Sequence, residues 1–126
     1  MPCDLTGTYD LTGKTFDPNL PGRVVDPSVL VLKKIEGNTY NYLQKFPVGS
    51  GHTNFIGVGT ISPEDNDVFI FSITHPDGVN NQLVYIEVKK CKKDKAVKLS
   101  ITKLHTTGLG NVTLLTGLRQ NKGKEN

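Results

Sequence analysis

Residues 83–103, LVYIEVKKCKKDKAVKLSITK, alternate apolar and polar side chains on both sides of a lysine-rich centre. A period of two marks a half-buried strand, and two such runs flanking a polar turn read as an antiparallel hairpin. Pairing Val88 with Val97 sets Ile86 against Leu99 and Val84 against Ile101 on one face, and Glu87 against Lys98 and Tyr85 against Ser100 on the other. Cross-strand aliphatic and opposite-charge pairs contribute up to about 1 kcal/mol each, and a one-residue slip scrambles both sets. The pattern predicts a turn at Cys91-Lys92-Lys93-Asp94, with Val84, Ile86, Val88, Val97, Leu99 and Ile101 inside and Glu87 and Lys98 outside.

The same periodicity, punctuated by Gly, Pro, Asn and Asp, marks further strands at Leu5–Leu11, Val29–Ile35, Thr39–Gln44, Asn54–Ile61, Val68–Thr74 and Val112–Arg119, with the hairpin arms at Leu83–Lys89 and Ala96–Lys103. No segment carries a helical stripe. The gap TGKTFDPNLPGRVVDPS holds Pro18, Pro21 and Pro27; prolines remove amide donors and fix φ, so an extended surface loop, at most with a short edge strand, is expected. About eight sequential strands joined without long crossovers imply an antiparallel meander, and such a meander closes to remove its edges. The expectation is an all-β, up-and-down antiparallel β-barrel of about eight strands; a two-sheet sandwich is the alternative. Gly57 and Gly59 fit strand bends in a closed barrel. The near-duplication in LTGTYDLTG, residues 5–13, does not continue at a fixed period and so marks no repeat.

A chain of 126 residues with 36% hydrophobic and 21% charged residues is expected to fold as a single domain, 1–126, with the polar tail 120–126 expected to be flexible. No apolar run is long enough for a membrane helix, and the start lacks the basic-then-apolar pattern of a signal peptide, so a cytoplasmic protein that is not transmembrane is expected. In that compartment Cys3 and Cys91 are read as free thiols. Neither they nor the three histidines have metal-ligand spacing, and no metal or cofactor is expected.

Gly7-Thr8-Tyr9 on the first strand and Arg119 at the end of the last resemble the Gly-x-Trp and late Arg of the calycin barrels, which group lipocalins, fatty-acid-binding proteins and avidins. The resemblance implies that Gly7, Tyr9 and Arg119 close one end of the barrel, with the guanidinium across the ring and the first and last strands adjacent. Avidins begin much like CDLTGTY, but their biotin pocket is walled by tryptophans and this chain has none. Fatty-acid-binding proteins carry two portal helices where this chain has its proline-rich loop. No member family is singled out.

For function, Tyr40, Tyr42, Phe69 and Phe71 are candidates to line a cavity for a small apolar or amphipathic ligand, phenols within apolar walls being a usual pocket composition. The bland alternative is a barrel filled by its own side chains. The lysines of KKCKKDK, with Lys98 and Lys103 nearby and Lys89, Lys90, Lys92 and Lys93 as candidate contacts, offer a docking patch for an acidic protein or anionic surface, or simply a solvated hairpin tip that blocks sheet addition. No aromatic platform accompanies them, so specific nucleic-acid binding is not expected. Cys91 among these ammonium groups would have thiolate character. SPEDND lacks the ligand spacing of a calcium loop, THPDG reads as a turn, and VGSG and GLGN sit on no strand-to-helix junction. No base, nucleophile and orienting group assemble, so a non-catalytic binding protein is expected rather than an enzyme.

Overall fold

The computed structural model describes residues 2–18, 20–74, 81–105 and 111–120. The alternating runs become β1 (Gly7–Asp17), β2 (Leu20–Val24), β3 (Ser28–Glu36), β4 (Thr39–Lys45), β5 (Phe55–Ser62), β6 (Asp65–Thr74), β7 (Gln82–Lys92), β8 (Lys95–His105) and β9 (Val112–Arg119), with no helix among the described residues. Sequential antiparallel pairing runs from β3 to β9, and β1 joins β3 on one edge and β9 on the other. Eight strands thus form a closed up-and-down barrel, as the periodicity predicts. The remaining strand, β2, pairs with the far half of β1 through Lys14 and Thr15.

β2 is the short edge strand allowed for within residues 12–28, and the correction concerns the first strand, which was expected to end at Leu11. β1 continues to Asp17, because its second half still has a partner in β9 as far as Phe16↔Val112. The prolines are accommodated at the margin: β2 is bonded to β1 and closes no ring, so its other edge needs no ladder of amides.

The two ends of the barrel differ. At one, β3–β4, β5–β6 and β7–β8 are joined by two-residue turns at Gly37-Asn38, Pro63-Glu64 and Lys93-Asp94. Lys93 and Asp94 have φ of 52° and 65°, the positive pair whose twist matches that of the strands. This turn sets the hairpin register two residues from the predicted one: Val88 lies opposite Leu99, Ile86 opposite Ile101 and Val84 opposite Lys103, while Glu87 faces Ser100. A shift of two keeps every side chain on its face. Val84, Ile86, Val88, Leu99 and Ile101 are therefore buried as expected, and Lys98 is exposed. Val97 is the exception. The ladder is irregular between Val88 and Cys91, so Ala96 is buried in its stead and Val97 is only half-buried.

The N-terminal segment laces across this end. Asp4 N–H donates to Asp94 O at 2.7 Å and Asp4 O accepts from Ala96 N–H at 2.9 Å, leaving Leu5 fully buried as a plug. The same path brings Cys3 to Cys91, with Cα atoms 6.2 Å apart, and the two form a disulfide. The expectation of two free thiols, and of a reactive Cys91, is corrected accordingly: residues 88 apart in sequence become neighbours only because the segment before β1 folds back over the β7–β8 turn.

Arg119 and Tyr9 meet at this end. Arg119 donates from Nε to Ala96 O and from Nη2 to Thr6 O, both at 2.6 Å, and its guanidinium carbon lies 5.3 Å from the Tyr9 ring centroid. The Tyr9 hydroxyl donates to Leu5 O at 2.6 Å. Gly7 is required here: its φ is +152°, and a Cβ would fall on the Arg119 guanidinium. Above the seal, Tyr40 meets Phe69 edge-on with centroids 5.7 Å apart and Tyr42 meets Phe71 at 5.6 Å. These rings fit because Gly59 stands beside Phe71, whose ring occupies the space that a side chain at that position would need.

Candidate ligand-binding site

Following each interior face from the sealed end to the other shows a change in chemistry. On β4 the inward residues run Tyr40, Tyr42, Gln44; on β7, Val88, Ile86, Val84, Gln82; on β8, Leu99, Ile101, Lys103; on β9, Leu115, Thr113. The period of two that carries the apolar core thus delivers a ring of polar groups at the open end. They surround a cavity of about 430 Å³, completed by Thr15 of β1, Phe55 of β5, Arg23 of β2, Val25 just after it, and the rim residues Phe46 and His52.

Lys103 is the least expected member. It is only 4% exposed, whereas every other described lysine is exposed. Its Nζ donates to Gln44 Oε1 at 2.7 Å and sits 4.2 Å from the centroid of the Phe55 ring. Gln44 Oε1 also accepts from the Tyr42 hydroxyl at 2.8 Å, and Gln44 Nε2 donates to Ser28 Oγ at 2.9 Å, so the glutamine is fully engaged in holding the amine. Among the described residues no carboxylate pairs with Lys103. Asp26 is at the rim, where it meets His52 Nε2 at 3.1 Å in an exposed contact. A buried ammonium without a counter-charge is costly, and burial lowers Lys103 from 10.5 to about 7. His105, beside it in the cavity wall, is lowered as well, first by burial and then by the charge on Lys103.

Two further groups point to unmet bonding. Gln82 Oε1 and Asn111 Oδ1 line this cavity, are buried, and find no hydrogen-bond partner among the described residues. Buried acceptors left without donors cost roughly 1–3 kcal/mol each. The walls opposite are apolar: Phe46 packs on Phe55 with centroids 5.8 Å apart, and Leu115 and Val25 complete the lining. A second hollow of about 580 Å³ lies on the outside of β1 and β3, against Thr8, Asp10, Val29, Val31 and Pro47. It is larger, but the lysine and the two unpartnered acceptors belong to the cavity inside the barrel.

The sequence-predicted ligand residues Tyr40, Tyr42, Phe69 and Phe71 all point inward and come together, each no more than 1% exposed. They fill the barrel below the cavity. Tyr40 is tied into the seal, donating to Asp4 Oδ1 at 3.2 Å and accepting from Leu5 N–H at 3.1 Å. Tyr42 reaches the cavity only through Gln44. The lysines Lys89, Lys90, Lys92 and Lys93 are exposed at the opposite, sealed end, where Lys89 approaches Glu87 at 3.6 Å. Thus the two predicted sites are separate places. Sequence reasoning missed Gln82 and Phe55 and set Lys103 beside the lysine-rich hairpin tip, whereas it is buried in the cavity at the other end of the barrel. The signal was present for Lys103, since it continues the inward parity of Leu99 and Ile101. The THPDG stretch, apart from Thr74, most of GLGN and the tail beyond Gln120 lie outside the described residues. No family model, curated protein or solved structure matches the chain.

Proposed function

We propose that the chain is a non-catalytic binding protein for a small amphipathic molecule, held at the open end of the barrel with its polar group against Lys103, Gln44 and Gln82 and its apolar part against Phe46, Phe55 and Leu115. One observation carries the reading: a cavity of about 430 Å³ in which, among the described residues, a buried lysine has no counter-charge and two buried acceptors have no donor. Volume and lining fit the usual small-molecule site, apolar walls with a few convergent polar groups. The floor of packed aromatic rings supports a ligand that enters the mouth without traversing the barrel. The Cys3–Cys91 cross-link suits an oxidising compartment better than the cytoplasm, so the carrier is proposed to work there.

The test is a titration with a dansyl-labelled undecanoate. One probe should bind per chain, with blue-shifted emission, and Leu115→Trp, which fills the cavity, should abolish binding while leaving far-UV circular dichroism unchanged. Absence of saturable binding, or binding indifferent to Leu115→Trp, overturns the proposal. A second reading is supported by the exposure of Lys89, Lys90, Lys92 and Lys93 on a hairpin anchored by the disulfide: the sealed end would dock an acidic protein through charge.

A further inference from the structure

The polar group of the ligand can be specified further, given that the mouth admits one. Lys103 presents a primary amine inside an apolar-walled cavity, held among the described residues by a single hydrogen bond to a neutral amide, at 2.7 Å, and by the face of Phe55. The other titratable or charged side chains around the cavity are Arg23, Asp26, His52 and His105. Asp26, the acid among them, is engaged with His52 at the exposed rim. Nothing described there supplies a negative charge to hold a proton on the amine, and burial has already brought it to about 7. A large share of Lys103 is therefore a free base at neutral pH.

We propose that this site captures aldehyde-bearing amphiphiles as a reversible imine on Lys103. The Nζ lone pair attacks the carbonyl carbon, the C=O π pair moves to oxygen, and the proton leaving nitrogen ends on that oxygen to give the carbinolamine. Protonation of its hydroxyl and departure of water, with the nitrogen lone pair forming C=N, give the iminium, and loss of its N–H proton returns the proton taken up: one amine and one aldehyde yield one imine and one water, with no change of oxidation state. The pattern of polar groups suits the sequence of species. Gln44 Oε1 accepts from Nζ and orients it, and the unpartnered Gln82 Oε1 and Asn111 Oδ1 in the same cavity are acceptors for a hydroxyl donor such as the carbinolamine. The apolar walls hold the chain of the aldehyde and limit the water that drives hydrolysis.

The experiment uses decanal, with decan-1-ol as its non-reactive counterpart. The intact protein is incubated with decanal at neutral pH, reduced with cyanoborohydride and mapped by peptide mass spectrometry. Decanol binding is measured separately by displacement of the dansyl probe. The expected result is one decyl group per chain on Lys103, formed at least about tenfold faster than on any exposed lysine, and suppressed by excess decanol. Lys103→Met should lose that adduct; should the variant not fold, the mapping of the wild-type protein decides alone. Decanol binding accompanied by labelling spread over the exposed lysines, or by labelling that decanol does not suppress, overturns the imine and leaves the carrier standing. Failure of the dansyl probe itself to bind removes both, and a bound probe that decanol cannot displace removes the imine alone.

Discussion

Replacing Lys103 with methionine keeps much of the side chain's length and apolar character and deletes the amine, and the effect on stability should depend on pH in a direction set by burial. Lys103 falls from 10.5 to about 7 in the folded chain, so between those values the unfolded chain holds a proton that the folded one lacks. Stability then rises with pH across the window: the penalty of the buried charge is full below about pH 7 and is relieved as pH climbs, with a limiting slope of about 1.4 kcal/mol per pH unit. The whole drop corresponds to about 5 kcal/mol, an upper bound because buried sites relax around a charge. Above about pH 10 the buried phenols of Tyr9 and Tyr42 act the other way, since burial raises both and only the unfolded chain ionises them there.

The informative range is therefore about pH 7.5 to about pH 9.5, where Lys103 should supply roughly 2–3 kcal/mol. His105 lies below this range, being lowered from 6.5, so its response to losing the neighbouring charge does not intrude. Urea unfolding of the wild type and of Lys103→Met, disulfide intact, gives the difference in unfolding free energy at each pH. The variant should be the more stable protein near pH 7, and the wild type should recover against it by roughly 2–3 kcal/mol as pH rises, at constant denaturant slope. Curves that run parallel within about 0.5 kcal/mol across the range would show the amine to be protonated in the folded chain, refuting the argument from burial and weakening the imine with it.

Three other outcomes follow from the sealed end. Arg119→Ala removes two 2.6 Å bonds to the carbonyls of Ala96 and Thr6 and should lower stability by about 2–4 kcal/mol in urea melts, without changing probe affinity at the far end. Reducing the Cys3–Cys91 bridge, which spans 88 residues, should cost up to about 4–5 kcal/mol by chain entropy, seen as a lower thermal midpoint in dithiothreitol; an unmoved midpoint would mean that the cross-link is not formed. Reversing Lys89, Lys90, Lys92 and Lys93 to glutamate should abolish salt-sensitive retention on immobilised polyglutamate while leaving the dansyl titration unchanged, and retention that survives would remove the hairpin as a docking surface.

The barrel was legible because most of its strands declare themselves by alternation, and because closure is the general answer to eight antiparallel strands with no helix to cover an edge. Tyr9 and Arg119 added which strands meet. Two kinds of information were not in the alternation. Register within the β7–β8 hairpin differs by two residues from the side-chain estimate because parity is blind to even shifts, and the positive φ angles of Lys93 and Asp94 break the tie. Long-range proximity was also hidden: Cys3 reaches Cys91 through a segment that makes only an isolated bridge at Asp4, with no periodic pattern to announce it. Apolar residues on the outer face blurred matters further, Ile70 and Tyr85 being paired neighbours that are both exposed.

The site was less legible for a physical reason of its own. Looking for a pocket by finding aromatic residues leads to Tyr40, Tyr42, Phe69 and Phe71, yet large rings on neighbouring strands fill the space they enclose, and here they pack on one another. The informative mark of a cavity was instead a polar residue where the alternation calls for an apolar one. Lys103 follows Leu99 and Ile101 in the inward positions of β8 and lies opposite Val84, a setting in which stability alone asks for another aliphatic side chain. Gln44 after Tyr40 and Tyr42, and Gln82 before Val84 and Ile86, break the pattern at the same height in the barrel. Three such breaks on three strands fall into one ring only because the strands are joined in the observed register. Since each of them weakens the core, their convergence on a single cavity is the strongest reason to seek the function at the open end.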